Sequence, residues 1–230
     1  MKAVIQCCKT KTTTASFFVG TRRVKFVAHP SKITPVSANE FPAHPDDRMP
    51  SGVETWREHL VKYNEAWVTQ KLNPLHFKPA GELYERKGYT AYSDLLRHFS
   101  ASNMYILSAG WGLVRADFLL PDYDITFRIQ DTPEWCVRKP ADAELFHDFA
   151  HLTPDVVSND ELVYFFGGGS YLQFFFTATS TLPVKRVVYY SAKTVPDPKK
   201  CRGIKYDGKG MTWMYRCASD FCKPSKQLER

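Results

Sequence analysis

Met104-Tyr-Ile-Leu-Ser-Ala-Gly-Trp-Gly-Leu-Val-Arg-Ala-Asp-Phe-Leu-Leu-Pro-Asp-Tyr-Asp-Ile-Thr-Phe127 is the stretch on which the reading of this 230-residue chain turns. It opens with a short apolar run, Met104 to Leu107, of the kind a buried strand needs. The chain then turns at Ser108-Ala109-Gly110-Trp111-Gly112, where two glycines permit backbone angles and close approaches that other residues resist. Arg115, Asp117, Asp122 and Asp124 follow, with Tyr123 among them. A strand that ends in a glycine turn and delivers charge and aromatics is where open α/β sheets place ligand sites. The competing reading is a tight turn with solvated charges.

Working outward, the flanking segments repeat the same theme. Ala80 to Ser100 carries a helical pattern through Leu83, Tyr84, Tyr92, Leu95, Leu96 and Phe99, interrupted at Gly88, and leads straight into Met104. Glu161 to Phe166 is the clearest buried strand. Gly167-Gly168-Gly169-Ser170 and a helix from Tyr171 come next, an arrangement whose free backbone N–H groups suit an anion. It is neither a Walker motif nor a dinucleotide fingerprint. Val184 to Ser191 reads as another strand, with Lys193 just past its end. Ala3 to Cys7 reads as the first, followed by Cys8, Lys9 and Lys11. The strand ends at Cys7, Leu107, Phe166 and Tyr190 are therefore expected on one side of a parallel or mixed sheet in an α/β protein.

Other segments are less regular. Phe17 to Val27 looks like β structure with Arg22, Arg23 and Lys25. His29 to Pro50, with five prolines, reads as a long surface loop in which His29 and His44 are solvated. Ser51 with Glu54 is expected to cap a helix carrying Trp56, Leu60, Tyr63, Trp67 and Val68 on its apolar stripe as far as about Gln70. Thr132 to Trp135 looks like a helix start, and Ala141 to His151 like a helix with Leu145, Phe146 and Phe149 turned inward.

Composition sets the outer limits. Hydrophobic residues make up 43% and aromatics 14% of the chain, sufficient for a full core. No apolar run approaches the roughly 18 residues that a membrane span requires. The N-terminus lacks the pattern of a signal peptide, so a cytoplasmic location with reduced thiols is expected for the six cysteines. Net charge is +7, consistent with a polyanionic partner. The tail from Lys199 to Arg230 concentrates it: nine Lys and Arg, Lys199 and Lys200 first, face three acidic residues. Tyr206, Trp213, Tyr215 and Phe221 interleave, a mixture that suits phosphates and unpaired bases, or equally an edge hairpin with a solvated face. Cys201, Cys217 and Cys222 share the tail, but without a C-x-x-C pair or a fourth ligand no metal is expected.

Three segments resemble a known family. Val-Ile-Gln-Cys7-Cys8-Lys9-Thr-Lys11 resembles the strand-Cys-Lys-Lys opening of the YaaA-like proteins. Ile106-Leu-Ser-Ala-Gly-Trp-Gly-Leu-Val114 resembles their Leu-Ser-Ala-x-Tyr-Gly-Leu segment, and Leu119-Leu-Pro-Asp-Tyr-Asp124 the Ile-x-Pro-Tyr-Asp that follows. The Tyr-Asp-Ile-Thr run is also similar to one in the glycosylase-like domain of archaeosine synthases. The matches cover the first strand and roughly residues 80 to 130. Trp111 stands where the family has Tyr, and Asp122 is extra.

The resemblance implies a three-layer α/β/α fold with a central, mostly parallel sheet, distantly like uracil-DNA glycosylases. Residues 1–198 would form it, with a loop and helix insertion at about 28–80, and 199–230 would be a basic extension packed on the same domain. It further implies double-stranded DNA as partner, with a base turned out of the stack; no membrane, cofactor or metal is expected. Asp124, then Asp122, is expected as the catalytic carboxylate. Ser108, Trp111, Gly112, Tyr123 and Cys7 are expected at the base, and Lys9, Lys11, Arg115, Gly168, Gly169, Ser170, Lys193, Lys199 and Lys200 at phosphates. A bulky modified base, such as a glycosylated or hydroxymethylated pyrimidine of phage DNA, would make this a defence enzyme. The alternatives are a YaaA-like DNA-binding stress protein without catalysis, and a nucleosidase or deoxyribosyl transferase.

Overall fold

The computed structural model describes residues 1–8, 11–12, 15–84, 90–191, 196–208 and 210–223. The chain begins with β1 (Lys2–Gln6), a hairpin of β2 (Phe18–Val19) and β3 (Arg22–Val27), then β4 (Glu40–Ala43) and α1 (Trp56–Gln70). β5 (Lys78–Pro79), α2 (Ala80–Leu83) and α3 (Ala91–Phe99) lead to β6 (Met104–Ser108), β7 (Gly112–Arg115), β8 (Leu119–Leu120) and β9 (Tyr123–Asp124). The last third holds β10 (Phe149–Ala150), β11 (Glu161–Phe166), α4 (Gly169–Ala178), β12 (Val184–Tyr190), β13 (Arg202–Lys205) and α5 (Trp213–Phe221).

Seven strands form the central sheet in the order β10-β7-β6-β1-β11-β12-β13. β6, β1, β11, β12 and β13 run parallel, and β7 turns back antiparallel against β6. The register pairs Gln6 with Leu107, Ile5 with Phe166, and Phe166 with Tyr189. The four strand ends expected on one side therefore do share one edge. Side chains alternate across this sheet as a strand's two-residue period demands. Phe165 stacks on Phe175 of α4 at 4.4 Å, whereas Tyr164 and Phe166 meet Phe221 of α5 at 4.9 and 5.4 Å. Helices thus cover both faces, and the whole is a mixed α/β fold compatible with a three-layer α/β/α arrangement.

α3 forms because Ala91, Tyr92, Leu95 and Phe99 make one buried stripe, with Asp94 in its first turn and Arg97 and His98 in its last. The tail is not an appendage: β13 completes the sheet beside β12, and Trp213, Tyr215 and Phe221 of α5 are buried. Those rings are core and do not offer the stacking surface expected of them.

Several local expectations are corrected. The cap of α1 is Thr55 with Glu58, one motif downstream of Ser51 and Glu54. Both segments fit the same box, but Gly52 adopts φ +74° in the turn that precedes the helix. The 29–50 segment contains β4, which pairs with β3, and His44 is buried against Phe146 at 4.2 Å. His29 is also largely buried, 3.1 Å from the Val137 carbonyl. The expected helix over 141–151 is instead a 3-10 turn, Pro140–Leu145, followed by β10. The sheet edge captures it: Phe149 donates its N–H to the Trp111 carbonyl, and Leu145 is left exposed. Among the described residues no helix is long and apolar enough to cross a membrane.

Candidate functional site

The site is built on the carboxyl edge of the parallel strands. β1 ends at Gln6, and the side chain and carbonyl of that residue fasten three neighbours. Oε1 accepts the Gly168 N–H at 2.6 Å, Nε2 donates to the Tyr215 hydroxyl at 3.3 Å, and the carbonyl accepts the Tyr92 hydroxyl at 2.8 Å. Beside it the Cys7 thiol lies 3.2 Å from the Tyr171 hydroxyl. β6 ends at Ser108, whose hydroxyl accepts the Trp111 N–H at 3.2 Å and donates to the Tyr123 hydroxyl at 2.9 Å. Tyr123 in turn shares a 2.5 Å hydrogen bond with Tyr84. Burial drives the Tyr84, Tyr92, Tyr123 and Tyr171 hydroxyls well above the ordinary tyrosine range, so these are neutral donors and acceptors.

Two buried arginines fix the turn at the end of β6. Arg57 of α1 forms a fork on Asp46 at 2.6 and 3.0 Å and donates to the carbonyls of Trp111 and Gly110. Arg138 does the same with Asp148, at 2.8 and 2.6 Å, and donates to the Ala109 carbonyl. Three consecutive carbonyls that face inward are satisfied by charge-assisted bonds. Burial raises the Asp46 carboxyl, but the bonds and charge of Arg57 outweigh it and hold the group below the usual carboxylate range. The sequence marks neither arginine, and marks Tyr84 only as part of an apolar helical stripe. Isolated charged residues in an amphipathic stretch carry no mark of burial, and their partners lie 10 to 54 positions away.

The rim carries the accessible groups. β9 pairs with β3, matching Phe26 to Tyr123 and Val27 to Asp124. Lys11 donates its ammonium to the Tyr123 carbonyl at 2.5 Å and lies 4.1 Å from the centre of the Tyr123 ring. Asp124 is half-buried, and among the described residues its carboxylate has no hydrogen-bond or ion-pair partner. The Asp122 side chain is 39% exposed and faces Arg23 at 3.9 Å. Gly169 and Ser170 are exposed at the start of α4, while the Gly168 N–H is taken by Gln6.

Cys7, Lys11, Ser108, Tyr123, Asp122, Asp124 and the 168–170 turn thus belong to one end of the sheet. The expected division of labour among them is corrected in part. Trp111 is fully buried, stacked on Phe149 and set edge-on to Phe26 and Tyr123, so it has no free face for a base. Ser108, Tyr123 and Cys7 are also buried, and their polar atoms bond one another or Tyr84 and Tyr171. They support the rim. Gly112 is a packing glycine: at φ +90° a Cβ there would lie 2.6 Å from the Phe149 carbonyl oxygen.

Three cations sit elsewhere. Arg115 pairs with Tyr105 at the opposite end of β6 and is bound to Asp117 at 2.5 Å. Lys199 and Lys200 precede β13, whose Arg202 aligns with Val187. They line a groove with Gln173, Phe176 and Arg186 toward the C-terminal end of α4, a helix length from Gly169. Lys9 and Lys193 lie outside the described residues. No group of three or more His, Cys, Asp and Glu able to hold a metal ion occurs among the described residues. No protein-family model matches the chain, and no curated protein matches it.

Proposed function

We propose that this protein is a DNA glycosylase with a uracil-DNA-glycosylase-like fold of the YaaA-like kind, which hydrolyses the N-glycosidic bond of a base turned out of the duplex. The observation that carries the reading is the half-buried Asp124 carboxylate on the rim, without a hydrogen-bond or ion-pair partner among the described residues and next in sequence to a Tyr123 that is clamped by Lys11 from outside and by Ser108 and Tyr84 from inside. Hydrolysis of this bond requires a positioned base for water, an anionic neighbour for the developing sugar cation, and a cation for the departing base. In this mechanism the C1′–N bond breaks with its electron pair leaving on the base. Water adds at C1′ and gives a proton to Asp124, from which it passes to the departing base. Lys11 supplies positive charge at the leaving group or the adjoining phosphate, and the N–H groups of the exposed residues Gly169 and Ser170 donate to a backbone phosphate. No step needs a cofactor.

The substrate we favour is DNA with a bulky modified pyrimidine, as in phage genomes, which places the enzyme in defence. The test is incubation of the purified protein with natural and modified DNAs, with released bases identified by mass spectrometry. A second reading, a cytoplasmic DNA-binding stress protein without catalysis, draws support from the burial of Ser108, Trp111 and Tyr123, which offer no exposed aromatic face at the turn. Tight, salt-sensitive binding with no base released from any DNA would select it.

A further inference from the structure

The β2–β3 hairpin carries an exposed ring beside the rim. Phe17 is buried among Trp56, Phe77, Tyr63 and Phe26, with ring centres 4.9–6.3 Å apart, and anchors the root of the hairpin. Phe18, one residue on, points to the opposite side and is 58% exposed. The turn is tight, with Gly20 at φ +59° in open space, and the strands pair Phe18 with Arg23 and Val19 with Arg22. The tip is therefore a paired ribbon closed by a tight turn. Arg22 lies over the Phe41 ring at 4.9 Å and has no ion-pair partner among the described residues. Arg23 reaches toward both Glu40 and Asp122. β3 continues from this tip to Val27, the partner of Asp124. Arg23 and Asp124 are thus separated along the ribbon by four residues, about 13 Å, or a few base steps.

A single exposed ring is ordinary on a protein surface and too small for a protein interface; what distinguishes Phe18 is its place beside the guanidinium groups of Arg22 and Arg23 at the tip of a ribbon that leads to Asp124. Rings and guanidinium groups together fit unstacked bases and phosphates. We infer that the β2–β3 hairpin is the arm that holds DNA next to the extruded nucleotide, with Phe18 stacked on a base and Arg22 on a phosphate. The inference rests on the glycosylase reading.

The probe is a fluorescent duplex containing a tetrahydrofuran abasic analogue, with 2-aminopurine in the neighbouring position to report unstacking. Phe18→Ala is expected to weaken binding about tenfold and to abolish the 2-aminopurine signal. Arg22→Ala is expected to lower the slope of log Kd against log salt by about one. Val53→Ala, a control at another exposed apolar side chain, should leave both unchanged. If the wild-type protein binds the duplex and Phe18→Ala binds and unstacks it equally well, the hairpin assignment is overturned while the glycosylase reading stands. If the wild-type protein does not bind this duplex, both fall together.

Discussion

Ser108 donates its hydroxyl to the hydroxyl of Tyr123 across 2.9 Å, and this bond ties the end of a central strand to the segment that carries Asp124. Neither side chain reaches solvent, so the pair works as a support for the rim. Its chemistry continues inward: the Trp111 N–H feeds Ser108, and Tyr123 meets Tyr84 at 2.5 Å.

Tyr84→Phe removes the inner end of that chain and leaves the buried Tyr123 hydroxyl one partner short. The expected loss is about 1–3 kcal/mol of stability, read as a lower midpoint in urea with unchanged slope. An unchanged midpoint would mean that the tyrosine pair contributes nothing to the rim.

Asp46→Asn tests the Arg57 clamp on the Gly110 and Trp111 carbonyls. Removing one partner of a buried pair costs about 3–5 kcal/mol, or roughly 6–20 °C in Tm for a chain of this size. The pH dependence has a definite sign. The Asp46 carboxyl lies lower in the folded than in the unfolded chain, where it is near 3.8. Its contribution is present in full above that value and is lost as pH falls through the folded value. The variant should lack this acid-limb loss.

His151 provides a second titration in a different window. Burial, aided by the charge of Arg115 and opposed by Asp117, pushes its imidazole from 6.5 down to about 4. The unfolded chain takes up the proton first, so stability falls as pH drops from about 6.5 to about 4 and then levels off. The size is on the order of 1–3 kcal/mol. In His151→Leu, denaturation between pH 7 and pH 4 should show that slope flattened; a slope equal to that of the wild type would remove His151 as its source.

Gly112→Ala places a methyl against Phe149 at a position already committed to φ +90°. The cost is about 1–3 kcal/mol, and it falls on the short β7–β10 pairing. Hydrogen exchange at the Phe149 amide, bonded to the Trp111 carbonyl, should quicken relative to the amides of β1.

The parallel strands are legible because residues 104–107, 162–166 and 187–190 are apolar runs that end at Ser108, Gly167 and Ser191. Their shared edge followed from the alternation of elements. Segments with weak local preference are decided by tertiary contacts. Residues 141–151 have helical spacing, yet an unpaired sheet edge beside Gly112 drew Phe149 and Ala150 into a strand. The aromatic tail reads as a nucleic-acid surface by composition, but Phe221 pairs with Phe99, Tyr164 and Phe166 in the core. Burial of Trp111, and of the arginine that covers it, depends on contacts across 54 residues. No local pattern encodes contacts of that span.

The measurement that bears most directly on the proposed chemistry compares wild-type protein with Asp124→Asn on a panel of modified DNAs, phage genomes included. Released base is read by mass spectrometry and abasic sites by alkaline cleavage. The account predicts release of one base by the wild type, a loss of about 10²–10⁴ in rate in the variant, and unchanged DNA affinity. Full activity in Asp124→Asn, or no base released by the wild type from any DNA, would contradict it.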